Sequence, residues 1–260
     1  LAGARDDLSS VIAAEQRFGT HHFTVHCLGN LAEADYRIGD WDAAVAHGDQ
    51  ALTLGLDADQ LWLEACLRSE ASPVLARRGQ WAAADEHIAG AMQAAERTGD
   101  YSSLGYAVTA TVRLAHSRGD YPAIIIAAEQ LERINPRHGI DEPGIFDWRA
   151  LYAEALVRVG RDSDAEQHLN AFERIARDRN RLSALAAASR VRGILDAHQG
   201  RHIASRAAFA LSTQLYGDVG MPFERAYTEL CLAESLTASG DRFAAEAHLR
   251  PATDTFLQLR

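Results

Sequence analysis

The apolar and polar positions of this chain follow a helical rhythm that is broken at regular intervals. The last forty residues, Met221 to Arg260, show the plan most clearly: Glu224 to Ser239 and Phe243 to Leu257 are amphipathic runs, with Gly240-Asp241-Arg242 between them. That pattern predicts helix, tight turn, helix, because glycine can take the left-handed conformation that ends one helix and lets the next fold back. The same punctuation recurs at Gly39, Gly79, Gly119, Gly160, Gly200 and Gly240, with spacings of 40, 40, 41, 40 and 40. Six helical hairpins in tandem are predicted.

Several helical repeats have periods near this value, so the positions that must be small decide between them. In tetratricopeptide repeats the paired helices cross closely, with small side chains seven residues before the turn glycine and five and twelve after it. The triplets are Ala32/Ala44/Ala51, Ser72/Ala84/Ala91, Val112/Ile124/Leu131, Ala153/Ala165/Phe172, Gly193/Ser205/Ser212 and Ala233/Ala245/Ala252, and fourteen of the eighteen residues are Ala, Ser or Gly. Trp41, Trp81 and Tyr121 each follow their glycine by two. The pattern predicts an all-α, right-handed tetratricopeptide-type superhelical solenoid with longer helices than usual; HEAT-like repeats, which lack the triplet, are the alternative.

In chain order, residues 1 to 20 read as the second helix of a truncated preceding repeat, with Ala4 at its small position. Residues 21 to 134 hold hairpins one to three, with a Gly55-Leu56-Asp57 connection after the first and Pro73 expected to kink the second. Pro122 opens the second helix of hairpin three, where proline is tolerated. Residues 135 to 144, with two prolines and two glycines, are expected as a connecting loop, and residues 145 to 260 form hairpins four to six. Pro251 is expected to bend or end the last helix.

Composition narrows the function. The 260 residues are 47% hydrophobic and 24% charged, ordinary for a folded protein, and the net charge of −10 disfavours nonspecific binding to nucleic acid or anionic membranes. The richest basic group, Arg174, Arg177, Arg179 and Arg181, falls near a predicted helix end, where the helix dipole favours cations. All 26 basic residues are arginine, which excludes a standard P-loop and points to a GC-rich genome. Cys27, Cys66 and Cys231 lie far apart within predicted first helices, a pattern that suits a reducing, cytoplasmic compartment. No apolar run approaches the ~20 residues of a membrane span, and no signal peptide is visible. The chain starts at Leu1 without methionine, which reads as a piece of something longer.

From Trp148 the text carries Trp148-Arg149-Ala150-Leu151-Tyr152-Ala153-Glu154-Ala155-Leu156-Val157, then Gly160-Arg161, then Pro222-Phe223-Glu224-Arg225-Ala226 and a closing Phe256-Leu257. Over about residues 143 to 260 this resembles the C-terminal tetratricopeptide region of the large ATP-binding LuxR-type transcriptional regulators, multidomain activators common in actinobacteria. In that family an NTPase precedes the repeats and a helix-turn-helix DNA-binding domain follows them. The resemblance implies a sensor or regulatory portion that binds a small-molecule inducer or a protein partner and contacts neither membrane nor nucleic acid itself. A stand-alone scaffold that binds protein or peptide partners is the alternative.

No HExxH, GxSxG, CxxC or glycine-rich phosphate cradle is present, so neither enzyme activity nor a cofactor is expected. His47, His87, His168 and His248 recur eight residues after their glycines, but equivalent positions two helices apart are too distant to share an ion, and packing is the expected role. His21, His22, His26 and Cys27 form a tighter group without an evident partner carboxylate. First helices of such a stack line a concave groove. Counting thirteen, ten, six and three residues before each glycine places there His26, Glu33 and Tyr36; Tyr106, Thr109, Arg113 and His116; Asp147 and Glu154; Arg190; and Tyr227 and Glu234. Recognition is expected to centre on hairpins three to five, around Tyr106, Arg113, His116, Glu154 and Arg190, with Tyr36 and Tyr227 contributing. Arg113 would hold an anionic group and Tyr106 would offer a flat face. Against this, Glu33 with Arg37 and Glu154 with Arg158 are spaced as ordinary surface helix pairs.

Overall fold

The structure is a computed structural model. It describes residues 2–19, 23–138 and 142–260. Among these residues it contains thirteen α-helices and no strand. In chain order they are α1 (Ala2–Phe18), α2 (Thr24–Ile38), α3 (Trp41–Asp57), α4 (Leu61–Arg77), α5 (Trp81–Thr98), α6 (Tyr101–Arg118), α7 (Tyr121–His138), α8 (Trp148–Arg158), α9 (Asp162–Asp178), α10 (Leu182–His198), α11 (His202–Val219), α12 (Pro222–Ala238) and α13 (Arg242–Gln258). The chain divides into two compact units, Leu1–Asp120 with Ala127–Ile140, and Tyr121–Ile126 with Asp141–Arg260. No helix among the described residues is long and apolar enough to cross a membrane.

All six turn glycines hold positive φ, between 70° and 89°. At the first, the amides of Gly39 and Asp40 bond back to the carbonyls of Tyr36 and Asp35, and at the last, those of Gly240 and Asp241 bond to Thr237 and Leu236. These paired bonds satisfy carbonyls that the helix end leaves open, so the turn stops one helix as it aims the next. At these two turns an aspartate caps the next helix, Asp40 and Asp241 accepting hydrogen bonds from the amides of Ala43 and Ala244, and Asp100 caps α6 in the same way by accepting from Ser103.

Within the first unit α2 packs on α3 and α4 on α5, and α2 also touches α4, which touches α6. Within the second, α8 packs on α9, α10 on α11 and α12 on α13, while α10 touches both α8 and α12. Every residue of the six small-position triplets is buried, the bulky Val112, Ile124, Leu131 and Phe172 included. At Gly193 an added Cβ would stand 2.8 Å from the Phe209 ring, so glycine lets α10 and α11 approach around that aromatic.

Several local expectations are corrected. Gly55 does not connect hairpins; α3 runs through it to Asp57, and a Cβ there would meet Leu67 and Val25 at 3.0 and 3.2 Å. Its role is close packing, and the reversal falls at Asp59, with φ 56°. Residues 135 to 138, expected in the loop, continue α7, while 139 to 141 lie outside the described residues. Pro251 does not end the last helix, α13 extending to Gln258, and Pro73 stands inside α4 as expected. One proline removes a single backbone bond, a loss that packing of the helix face can offset. Ala4 is exposed rather than packed at a crossing.

Candidate functional site

The polar side chains predicted on the first helices form a cluster in each unit. In the first unit, Glu33 on α2 accepts both Nε and Nη2 of Arg37 at 2.7 Å through Oε1, and Arg113 of α6 faces the same oxygen at 3.7 Å. The i,i+4 pair seen in the sequence therefore exists, but it is part-buried rather than a solvated surface pair. Arg113 is only 8% exposed. It already confronts a carboxylate, which departs from the expectation that it waits for an outside anion. His116, one turn further on, lies 3.4 Å from Arg77 and is buried.

Beside them stands a residue the lining count passed over. Glu70, on α4, accepts the Cys66 thiol at 3.2 Å through Oε1. Burial, then the neighbouring Glu33 carboxylate, pushes the Glu70 carboxyl up to about 7. The two arginines hold Glu33 low against its own burial. Two carboxylates sharing a poorly hydrated site separate in this way because both cannot ionise cheaply. Burial and then Glu70 raise the Cys66 thiol well above its ordinary range, so it is a hydrogen-bond donor rather than a nucleophile. Burial also raises the Tyr106 phenol, which interacts with Cys66. Glu70 lies nine residues before its glycine, one place off the counted positions. The signal that finds it is its place one turn after Cys66, a counted position.

Tyr36 departs from the expected lining. It is buried at 8% exposure, with its ring 6.2 Å from that of Trp41, and its carbonyl accepts the Trp41 indole N–H. The count put it on the recognition face, but its size draws it against the aromatic that opens the next helix. His26 is exposed, whereas His21 and His22 lie outside the described residues.

In the second unit, Arg190 of α10 is 2% exposed. Its Nη1 donates to Glu224 Oε2 at 2.6 Å and to the Tyr216 hydroxyl at 3.3 Å. The guanidinium lies between two rings, 5.5 Å from the centre of Tyr216 and 4.8 Å from that of Tyr227. The Tyr227 hydroxyl donates to Glu154 Oε1 at 2.7 Å, and Glu154 is fully buried. Arg158 stands 3.7 Å from Glu154 and 3.0 Å from Glu234, with the Tyr121 ring 5.9 Å away. Burial works against the charged Arg190, but Tyr216, Glu224 and Glu154 outweigh it and keep the guanidinium protonated. Burial and then Glu154 raise the Tyr227 hydroxyl, which stays a donor. Buried charges survive only when paired and hydrogen-bonded, as these are. Cys231 beside them is buried and free.

The sequence-predicted residues thus divide: Tyr106, Arg113 and His116 join Glu33, Cys66 and Glu70 in one unit, while Glu154, Arg190 and Tyr227 join Glu224 and Tyr216 in the other. The second unit also has an open cleft of about 550 Å³, bordered by Tyr216, Met221, Pro222, Arg225 and a Glu229–His248 pair at 2.6 Å.

Three of the four ladder histidines are held locally: His47 bonds Asp35 at 2.7 Å, His168 meets the edge of Tyr152 at 4.8 Å, and His248 bonds Glu229, whereas the Nδ1 of His87 is buried without a hydrogen-bond partner. Among the described residues no three metal-ligating side chains gather. Arg179 and Arg181 both pair with Glu142, at 3.2 and 2.6 Å, and Arg177 with Glu173 at 3.4 Å. That basic group therefore presents no unneutralised face of four arginines. No protein-family model matches the chain, and no curated protein matches it either.

Proposed function

We propose that this chain is a tetratricopeptide-type recognition module serving as the sensory or regulatory part of a LuxR-type, ATP-dependent transcription regulator. Its first helices would line the concave side of a right-handed solenoid and hold a small inducer or a protein partner there. The observation that carries the reading is a division of labour repeated every forty residues. Small residues are buried where paired helices pack, while among the described residues of α2 to α13 the buried arginine and glutamate side chains, Glu64, Arg113, Glu154 and Arg190, all stand on first helices. Polar groups gathered in this way are expensive to keep in a fold that only needs to stack, and they supply directional contacts for recognition. The motifs of residues 143 to 260 supply the LuxR-type context. Reading the coding sequence on both sides tests that context: a P-loop upstream and a helix-turn-helix downstream are expected. Their absence would overturn the regulator reading in favour of a stand-alone scaffold.

A further inference from the structure

Three buried oxygens on the first helices of the first unit have no hydrogen-bond partner. Glu33 uses Oε1 for Arg37 and Arg113, and its Oε2 is buried without a hydrogen-bond partner. Glu70 uses Oε1 for the Cys66 thiol, and its Oε2 is also buried and unpartnered. That oxygen lies against α2 where Gly29 has no side chain; a Cβ there would stand 2.7 Å from it. Thr109 supplies a third: it is 3% exposed, and its hydroxyl has no partner. It sits on α6 one turn after Tyr106, which reaches Cys66, and one turn before Arg113, which faces Glu33. Three successive first helices therefore each carry one unsatisfied buried oxygen, the one on α6 sharing its helix face with Tyr106 and Arg113. A buried polar atom left unpaired is costly, and folded proteins fill such places with water or a ligand.

Charge identifies the missing group. Arg37 and Arg113, the guanidiniums of the cluster, both face Glu33, whereas the bond to Glu70 comes from a neutral thiol. What completes the set carries N–H donors and a positive charge. We propose that Glu33, Glu70 and Thr109 form a site for the primary ammonium group of a small organic amine, whose three N–H bonds match the three oxygens. Tyr106, half-buried at the edge, offers a ring for the alkyl stem. This rests on the reading of the first-helix faces as a recognition surface.

The facing groups are Glu33 and Arg37 from α2, Cys66 from α4, and Tyr106 and Arg113 from α6. Because Glu70 titrates near 7, it is largely protonated at pH 6 and ionised at pH 8. An ammonium binds the ionised form, so affinity rises with pH and binding displaces the Glu70 proton.

Calorimetry with the full chain and n-butylamine, which stays protonated over this range, tests the site, with n-butanol and tetramethylammonium as controls. Millimolar binding at pH 8, several-fold weaker at pH 6, is expected for butylammonium alone. Glu70→Gln and Thr109→Val should each weaken it at least fivefold while the far-UV spectrum stays unchanged. Binding of tetramethylammonium equal to that of butylammonium, or butylammonium binding unaffected by both variants, would overturn the proposal. So would failure of butylammonium to bind, which would leave the oxygens to ordered water. If butylammonium fails but another compound from a thermal-shift panel binds and loses affinity on Glu70→Gln, the amine is wrong and the recognition surface stands. If binding of such a compound ignores both these variants and Arg190→Met, the recognition surface falls as well.

Discussion

Replacing Glu70 by glutamine alters the electrostatics of the first unit with almost no change in shape. The amide oxygen can still accept the Cys66 thiol, but the group no longer ionises. In the native chain, burial and Glu33 raise this carboxyl from its ordinary 4.5 to about 7. A folded-state pKa above the unfolded one means that the native state holds the extra proton between those values, so raising the pH favours unfolding. The penalty is absent below about pH 4.5 and complete above about pH 7. At 1.36 kcal/mol per tenfold change in proton affinity, this shift corresponds to about 3 kcal/mol lost between pH 4.5 and pH 8. Glu70→Gln should therefore match the native chain near pH 4, lie within about 1 kcal/mol of it at pH 5, and exceed it by roughly 2 to 3 kcal/mol at pH 8. Urea melts followed by far-UV dichroism at pH 4, 5, 6, 7 and 8 measure this. Parallel pH profiles for the two proteins would refute the argument, because they would show that Glu70 ionises without penalty.

Gly193→Ala should lower the denaturation midpoint by the equivalent of about 1 to 3 kcal/mol, despite alanine's better helix propensity, because the new methyl meets the Phe209 ring. Arg190→Met should cost roughly 3 to 5 kcal/mol by removing the buried guanidinium that pairs with the Glu224 carboxylate. Adding Glu224→Gln should recover part of that loss in the same melts, and no recovery would show that the pair is not the source. The isolated chain should hydrolyse ATP no faster than a buffer blank and bind duplex DNA no tighter than micromolar at physiological salt, since it has no lysine for a phosphate loop and its net charge is −10. Anisotropy with labelled DNA and a phosphate-release assay check both.

The parts of this structure that were legible in the sequence are those the repeat imposes at every turn. A helix that must reverse needs a left-handed residue, and glycine at Gly39 through Gly240 marks it without ambiguity; a close crossing needs small side chains, and the triplets mark those. What was not legible depends on one-off packing. Gly55 looked like a stop, yet its bare backbone serves Leu67 and Val25. Pro251 looked like a break, but one missing bond does not end a helix whose Ala252 is buried against its partner. Of the residues in the lining count, Arg113 faces Glu33 at 3.7 Å and Thr109 stands one turn before it on α6, while Glu70 escaped the count because a long side chain reaches the cluster from an adjacent register position. Tyr36 satisfied the count and still turned inward to Trp41.

The claim beneath the rest is that the chain is a linear array of interchangeable forty-residue hairpins. Excising one whole period tests it most directly. Removing residues 41 to 80 joins α2 to α5 in the register that α2 keeps with α3, so each retained helix meets an equivalent neighbour. Removing 41 to 60 instead places a first helix where a second belongs. Thermal melts by far-UV dichroism should show a cooperative, fully helical protein for the whole-period excision and a broad or absent transition for the half-period one. Equal loss of structure in both would contradict the repeat architecture.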